Sequence, residues 1–112
     1  MMGRSQTRRH AFTVVWEFHV PASQLRAFEK AYGPEGAWAQ LFRTGEGYVR
    51  TDLLRDRDTP GRYLTIDYWV SRRAFLNFKK RKRAEYESLD EKCAAFTGKE
   101  KMLGEFESWE PQ

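Results

Sequence analysis

The 112-residue sequence has few of the residues on which several common classes of site depend. Its single cysteine, Cys93, excludes a disulfide scaffold and a zinc site built from cysteines, and we expect no metal site. No apolar run approaches the roughly 20 residues of a membrane-spanning helix. The basic start, MMGRSQTRRH, is not followed by the apolar stretch of a secretory signal. We therefore expect a cytoplasmic protein that does not act on membranes.

Acidic residues are absent from the first eleven positions, which carry Arg4, Arg8 and Arg9. Without that segment 17 basic and 16 acidic residues remain, so most of the net charge of +4 belongs to it. We interpret residues 1–11 as a disordered basic tail and 108–112 as a C-terminal tail. The run KKRKR at 79–83 points all round a helix and is followed by acids, which is typical of a solvated face. We do not expect nucleic acid as a partner.

What the chain has in excess is aromatic residues, with eight Phe, five Tyr and four Trp. This is enough apolar material for one ordered domain. Apolar periodicity predicts strands at 12–20, 48–56, 62–69 and 102–107, helices at 25–32, 36–43 and 72–96, and a Pro-Gly turn at 57–61. Ser23 and Ser71 are predicted helix caps, and the spacing of Thr97 and Glu100 resembles a capping box.

The order strand, helix, strand, strand, helix, strand predicts an α+β fold over residues 12–107. Two right-handed crossovers give a ferredoxin-like βαββαβ domain, with a four-stranded antiparallel sheet and its helices on one face. Both faces of the predicted strands carry bulky residues. A solvent-facing second sheet face would expose a large apolar patch, so we expect a homodimer that pairs its sheets.

Several motifs resemble the antibiotic biosynthesis monooxygenase family over residues 12–107. They are Gly36-x-Trp38-x-x-Leu41-Phe42, Gly47-Tyr48, Thr51-x-Leu53-Leu54-x-Asp56, Tyr63-Leu64-x-Ile66-Asp67-x-Trp69-x-Ser71, Phe75-x-x-Phe78, Tyr86-x-x-Leu89-Asp90, Thr97-x-x-Glu100 and Gly104-x-Phe106. The resemblance implies a dimeric α+β barrel. It also implies an activity among cofactor-independent monooxygenases of polycyclic aromatics, quinol monooxygenases and haem-degrading enzymes.

The haem-degrading branch implies an Asn on the first strand, a Trp ending the third and a His on the second long helix. Only Trp69 fits, because the helix at 72–96 has no histidine to bind iron. We therefore expect no haem and no other cofactor. The anthrone-oxygenating branch implies Asn, Tyr and Arg side chains that assist the reaction near that Trp. At the corresponding places this chain has Thr65 and Phe75.

Oxygenation without a cofactor requires a proton acceptor, a group that holds the resulting anion, and a dry pocket with aromatic walls. The candidate proton acceptors are His19 and Asp67, and Arg50 is the candidate for holding the anion. The candidate pocket walls for a small aromatic substrate are Trp69, Trp38, Phe42 and Phe75.

Each candidate also has a purely structural interpretation. The aromatic residues are typical of a core, His19 of a surface, and Asp67 of an ion pair with Arg50 or another strand-two residue. The alternative function is therefore a non-catalytic dimeric module that binds small molecules or partners. A partly polar pocket between sheet and helices favours the enzyme, and a space filled with aromatic side chains favours the module.

Overall fold

The computed structural model describes residues 12–109. The elements are β1 (Phe12–His19), a 3-10 turn (Ala22–Gln24), α1 (Leu25–Tyr32), α2 (Ala37–Phe42), β2 (Tyr48–Arg55), β3 (Arg62–Trp69), α3 (Arg72–Arg81), α4 (Arg83–Thr97) and β4 (Lys99–Glu107). The tail expected at residues 1–11 lies outside the described residues, as do residues 110–112 of the expected C-terminal tail.

The four strands form one antiparallel sheet in the order β2-β3-β1-β4. This topology confirms the predicted ferredoxin-like fold. β3 lies in the interior of the sheet, and its residues alternate between half-buried and buried positions. Asp67 on β3 stands opposite Val14 of β1 and Thr51 of β2. Its carboxylate therefore lies over the middle of the sheet, on the face that the helices cover.

Aromatic rings hold the helices against this face of the sheet. Trp69 is fully buried. Its ring packs against Phe42 of α2, and against Phe75 and Phe78 of α3, at centroid distances of 5.3 to 5.8 Å. Edge-to-face and tilted ring pairs at such distances stabilise a core beyond the apolar area that they bury. Trp69 thereby fixes where α2 and α3 lie over the strands.

The long helix predicted over 72–96 is confirmed at its start but is not continuous. The Ala74 N–H donates to the Ser71 side chain at 3.1 Å, as a helix cap does. The helix then bends at Lys82, whose φ of −110° ends α3 and starts α4. The basic run 79–83 is thereby divided between the end of α3 and the start of α4.

Two predicted caps are wrong. Ser23 lies inside the 3-10 turn and makes no capping hydrogen bond. The capping box at Thr97 does not form, because α4 runs through Thr97 and β4 begins at Lys99, three residues earlier than expected. Gly98 makes this abrupt change of direction with a φ of +66°, a conformation that favours glycine.

Tyr48 does not lie on the face that strict alternation along the predicted strand 48–56 gives it. Strict alternation places Tyr48 opposite to Thr51, but a bulge between Tyr48 and Arg50 shifts the β2–β3 register. An extra residue in one strand reverses the alternation beyond it. Tyr48 therefore shares the helix-covered face with Thr51, and their hydroxyl oxygens are 2.8 Å apart.

The opposite, outer face of the sheet is largely apolar at its centre. Val15, Leu64 and Ile66 are half-buried there, whereas Leu54 and Phe106 are exposed. Among the described residues, no helix has the length and apolar character needed to cross a membrane.

Candidate active site

A pocket of about 230 Å³ opens between the helix-covered face of the sheet and the helices. Its floor is polar and comes from three neighbouring strand positions, Thr51, Thr65 and Asp67. Its remaining lining residues are Trp16, Phe18, Tyr32, Trp38, Phe42, Lys79, Tyr86, Asp90 and Glu100. The space is thus an aromatic cavity with one carboxylate at its floor and charged side chains among its lining.

Asp67 is the chemically distinctive residue of the floor. It is 8% exposed and no ion pair reaches it from the described residues. Burial raises its pKa from 3.8 to about 7, although the hydrogen bond from Thr51 acts in the opposite direction. A carboxyl group with this pKa exists in both protonation states near neutral pH, which is the requirement for a general base or acid.

Two hydroxyl groups form a hydrogen-bonded chain that ends at the Asp67 carboxylate. The Thr51 hydroxyl donates to Asp67 Oδ1 at 2.7 Å. Since that donation uses the only proton of Thr51, the 2.8 Å contact with Tyr48 has the tyrosine hydroxyl as donor. Thr51 thus donates to the ionised form of Asp67, and Tyr48 donates to Thr51 in turn. Together the two hydrogen bonds fix the orientation of the Asp67 carboxylate.

Trp38 forms part of the aromatic wall. Its indole packs against Tyr32, Phe42 and Tyr86 at centroid distances of 5.0 to 5.9 Å. Its Nε1 is buried and has no acceptor in hydrogen-bonding geometry. The indole edge faces the Tyr32 hydroxyl and the Cys93 thiol, and hydrogen bonding from Trp38 lowers their pKa values against the larger effect of burial, which raises both.

The charged lining residues have mixed sign. The Lys79 ammonium lies 5.0 Å from the ring centre of Tyr86 and 5.4 Å from that of Phe75, in cation–π range. Glu100 from β4 has its pKa raised by burial and, to a lesser extent, by the negative charge of Asp90. Within residues 12–109, no group of three or more histidine, cysteine or carboxylate side chains is arranged to hold a metal ion.

The structure brings three of the seven predicted site residues together. Asp67, Trp38 and Phe42 all line the pocket. Trp69 and Phe75 do not, because they pack beneath it in the aromatic core. Trp69 Nε1 is also buried without an acceptor, but the indole contacts core rings.

The structure places the other two predicted residues away from the pocket, on the outer face of the sheet. His19 is half exposed, and its Nε2 lies 3.6 Å from Glu17. Arg50 stacks 4.0 Å from the ring centre of Tyr68 and pairs with Asp52 at 3.3 Å. Asp67 accordingly bonds a different strand-two residue, Thr51, and not Arg50.

Sequence reasoning missed three residues that matter for the chemistry of the pocket, namely Thr51, Lys79 and Tyr86. Thr51 could have been found, because hairpin pairing of strands two and three brings it beside Asp67. Lys79 was assigned to a solvated face, and Tyr86 to the apolar side of the helix predicted over 72–96. The bend at Lys82 lies between them, and both side chains line the pocket.

The fold is shared with solved structures of low sequence identity. The cofactor-independent oxygenase SnoaB from Streptomyces nogalater is 24% identical, with a TM-score of 0.65 over 89% of this chain and 94% of that one. HapK from Hahella chejuensis is 15% identical, with a TM-score of 0.65 over 89% and 92%. The heme-degrader MhuD from Mycobacterium tuberculosis is 22% identical, with a TM-score of 0.61 over 90% and 98%.

None of the curated proteins matches the chain. The family model described as antibiotic biosynthesis monooxygenase matches residues 11–86, which span β1 through the bend at Lys82 to Tyr86 of α4. This range contains the polar floor of the pocket and all of its aromatic lining residues. The chain belongs to the antibiotic biosynthesis monooxygenase family.

Proposed function

We propose that this protein is a cofactor-independent monooxygenase of a small phenolic or quinol-type aromatic, with Asp67 as the proton acceptor. The observation that carries the proposal is a buried carboxyl group with a pKa of about 7 on the floor of an aromatic pocket. The family membership and the fold shared with a cofactor-independent oxygenase support the reaction class. The substrate class comes from the chemistry of the pocket.

A simple phenol such as 1-naphthol illustrates the reaction. The Asp67 carboxylate takes the phenolic proton, and the resulting anion is electron-rich at the ring carbon para to its oxygen. That carbon transfers one electron to O2, and the two radicals combine to form a C–O bond. Protonated Asp67 returns its proton to the peroxide. Loss of the ring C–H proton then cleaves the O–O bond, so that one oxygen atom ends in a quinone and the other in water.

The pocket supplies what this sequence of steps requires. Its aromatic walls can stack against a flat ring. Lys79, a cation that lines the pocket, is the candidate group for holding the developing phenolate oxygen, the role that the sequence had suggested for Arg50. A volume of about 230 Å³ is below the roughly 300–1,000 Å³ of sites for drug-sized ligands. We therefore favour a substrate of one or two rings.

Haem does not suit the residues of this pocket. Degradation of haem is stated for the MhuD structure, and haem iron is usually held by a neutral imidazole. Helices α3 and α4 contain no histidine, and the one histidine among residues 12–109, His19, lies on the outer face of the sheet. The proposed reaction therefore uses Asp67 and O2 without iron.

We also propose that the protein acts as a cytoplasmic homodimer. The support is the apolar centre of the outer sheet face, where Val15, Leu64 and Ile66 lie beside exposed Leu54 and Phe106. Apolar residues grouped on one face of a sheet favour pairing with a second copy. Light scattering at micromolar concentration tests this part, and a monomer would contradict it.

Oxygen uptake without added cofactor tests the activity, using a panel of 1-naphthol, substituted hydroquinones and anthrone. We expect uptake above the spontaneous rate, with two-ring substrates preferred over three-ring anthrone. Asp67→Asn should abolish the oxygen uptake above the spontaneous rate. The matched control is Asp52→Asn, which removes a carboxylate of the neighbouring strand on the outer face and should retain it. Binding of these phenols without uptake would favour the non-catalytic module.

A further inference from the structure

A second concave site lies on the same domain and shares no lining residue with the aromatic pocket. It is a groove of about 760 Å³ between the loop at 44–47, which joins α2 to β2, and the exposed side of α3. We call it the α3 groove. Its lining residues are Thr44, Gly45, Glu46, Gly47, Val70, Ser71, Arg73, Ala74, Asn77, Phe78, Arg81 and Lys82. Gly47, Ser71 and Phe78 of this lining belong to the family motifs, but the proposed oxygenation does not use the groove.

The charge of the α3 groove is predominantly positive. Arg73, Asn77 and Arg81 follow one another at intervals of four residues, so they form a row along one face of α3. Lys82 continues the row at the bend, and Glu46 is the single carboxylate of the lining. Three cations therefore face one acid across the groove.

These three cations have no acidic partners of their own. The residues on either side of the row are paired, Arg72 with Glu105 at 2.9 Å and Arg83 with Glu87 at 3.2 Å. Within residues 12–109, Arg73, Arg81 and Lys82 make neither an ion pair nor a side-chain hydrogen bond. Guanidinium groups left free at a concave surface are suited to recognise an anion through two parallel hydrogen bonds.

The wall opposite the cations is rigidly placed. A Cβ atom at Gly45 would lie 2.7 Å from the Phe78 ring, so the loop packs directly on α3. Gly47 has a φ of +93°, and its carbonyl accepts a 2.8 Å hydrogen bond from the Val70 N–H. The loop is thus tied to both ends of the groove, and binding there would not require it to be ordered first.

The basic run 79–83 does not form a continuous surface for a polyanion such as nucleic acid. Lys79 lies at the aromatic pocket, Arg83 pairs with Glu87, and only Arg81 and Lys82 line the groove. Arg73 and Arg81 are about 12 Å apart along the helix, and their long side chains can converge on one compact group near Asn77. This spacing suits a small ligand.

We propose that the α3 groove binds a phosphate or diphosphate group of a small molecule, held by Arg73, Arg81 and Lys82 with the Asn77 amide as a further donor. The occupant is either free phosphate or pyrophosphate, or a phosphate ester. The proposal is independent of the oxygenase activity, because the two sites share no lining residue.

Amide chemical shifts measured during titration test this proposal on the full chain. The probes are pyrophosphate, inorganic phosphate and phenyl phosphate, with sodium chloride at matched ionic strength. We expect saturable shifts confined to residues 44–47 and 70–82. Preference for phenyl phosphate over inorganic phosphate would identify an ester as the occupant, and preference for pyrophosphate would identify the free anion. Shifts that chloride reproduces would overturn the proposal.

Variants distinguish specific binding in the α3 groove from general electrostatic attraction to a basic surface. Arg73→Gln with Arg81→Gln should weaken binding at least about tenfold, because each charge-assisted hydrogen bond contributes enough for that factor. Lys80→Gln removes an exposed charge of the same helix outside the groove and should not change the affinity. Equal losses in both variants would overturn the proposal. The proposal would also be overturned if duplex DNA bound more tightly than pyrophosphate and the double variant abolished that DNA binding. Thermal unfolding of each variant establishes that it is folded.

Discussion

The Thr51 hydroxyl donates a hydrogen bond of 2.7 Å to the Asp67 carboxylate across the β2–β3 pair. Two opposing effects meet at this contact. Burial favours the protonated carboxyl group, and the donated hydrogen bond favours the ionised one. Their balance leaves the pKa of Asp67 at about 7, where a small change of environment shifts the proton.

Thr51→Val removes the donor and should raise the pKa of Asp67 further, by about one pH unit or more, since a hydrogen bond to a charged group contributes about 1.5–3 kcal/mol. The measurement is a carbon-13 NMR titration of the Asp67 carboxyl carbon. The control is Thr65→Val, which removes another buried hydroxyl from the pocket floor that is not bonded to Asp67. If the two variants shift the pKa equally, Thr51 has no specific role.

The raised pKa of Asp67 also predicts how stability depends on pH. Because the folded value of about 7 exceeds the unfolded value near 3.9, the folded chain binds more protons between pH 4 and 7. The contribution of Asp67 to the free energy of unfolding therefore falls as pH rises through this window, by at most about 4 kcal/mol. Asp67→Asn lacks this dependence.

Denaturant unfolding of wild type and Asp67→Asn at pH 4 and pH 8 measures the effect. The variant should gain stability relative to wild type as the pH is raised. A difference between the two proteins that is the same at both pH values would show that Asp67 titrates alike in the folded and unfolded chains.

The two buried tryptophans with unpaired Nε1 atoms should behave differently. Trp38→Phe removes part of the aromatic pocket wall and should weaken binding of 1-naphthol about tenfold. Trp69→Phe leaves a cavity in the core and should cost roughly 1–3 kcal/mol of stability, with little change in affinity. Calorimetric binding and thermal unfolding of both variants provide the comparison. The assignment of the pocket would be contradicted if Trp69→Phe caused the larger loss of affinity.

His19→Ala should leave 1-naphthol binding and any oxygen uptake unchanged. The imidazole lies on the outer face of the sheet beside Glu17, whereas the pocket opens on the opposite face. Steady-state rates of the variant and wild type, measured across pH 6 to 8, test this expectation. A loss of rate in the variant would return His19 to the list of proton acceptors.

The fold could be predicted from the sequence because the strands follow period two closely. Alternation on β3 placed Asp67 and Trp69 on one face, as the structure does. The face of Tyr48 could not be predicted, because a bulge leaves no clear mark in the alternation. The same alternation already put His19 opposite the apolar face of β1, so its distance from the pocket was implicit in the sequence.

The candidate site was less predictable, because it depends on how the helices pack. The sequence made Trp69 and Trp38 equal candidates for the pocket wall. In the structure, rings from α2 and α3 cover Trp69, whereas Trp38, on α2 itself, lies at the edge of the cavity. The break at Lys82 falls in the one gap between the apolar positions of 72–96, from Phe78 to Tyr86. That gap does not show that Lys79 lies at the cavity and Arg81 on the α3 groove. Contacts between elements determine these details, and periodicity reports only on single elements.

The central claim is that Asp67 is the base of an oxygenation, and the pH dependence of oxygen uptake on 1-naphthol tests it most directly. After subtraction of the spontaneous rate, kcat/KM should rise with pH, reach a plateau, and report an apparent pKa near 7 that moves upward in Thr51→Val. Asp67→Asn should show no such rise. An uptake rate that follows the same pH profile in Asp67→Asn as in wild type would contradict the account.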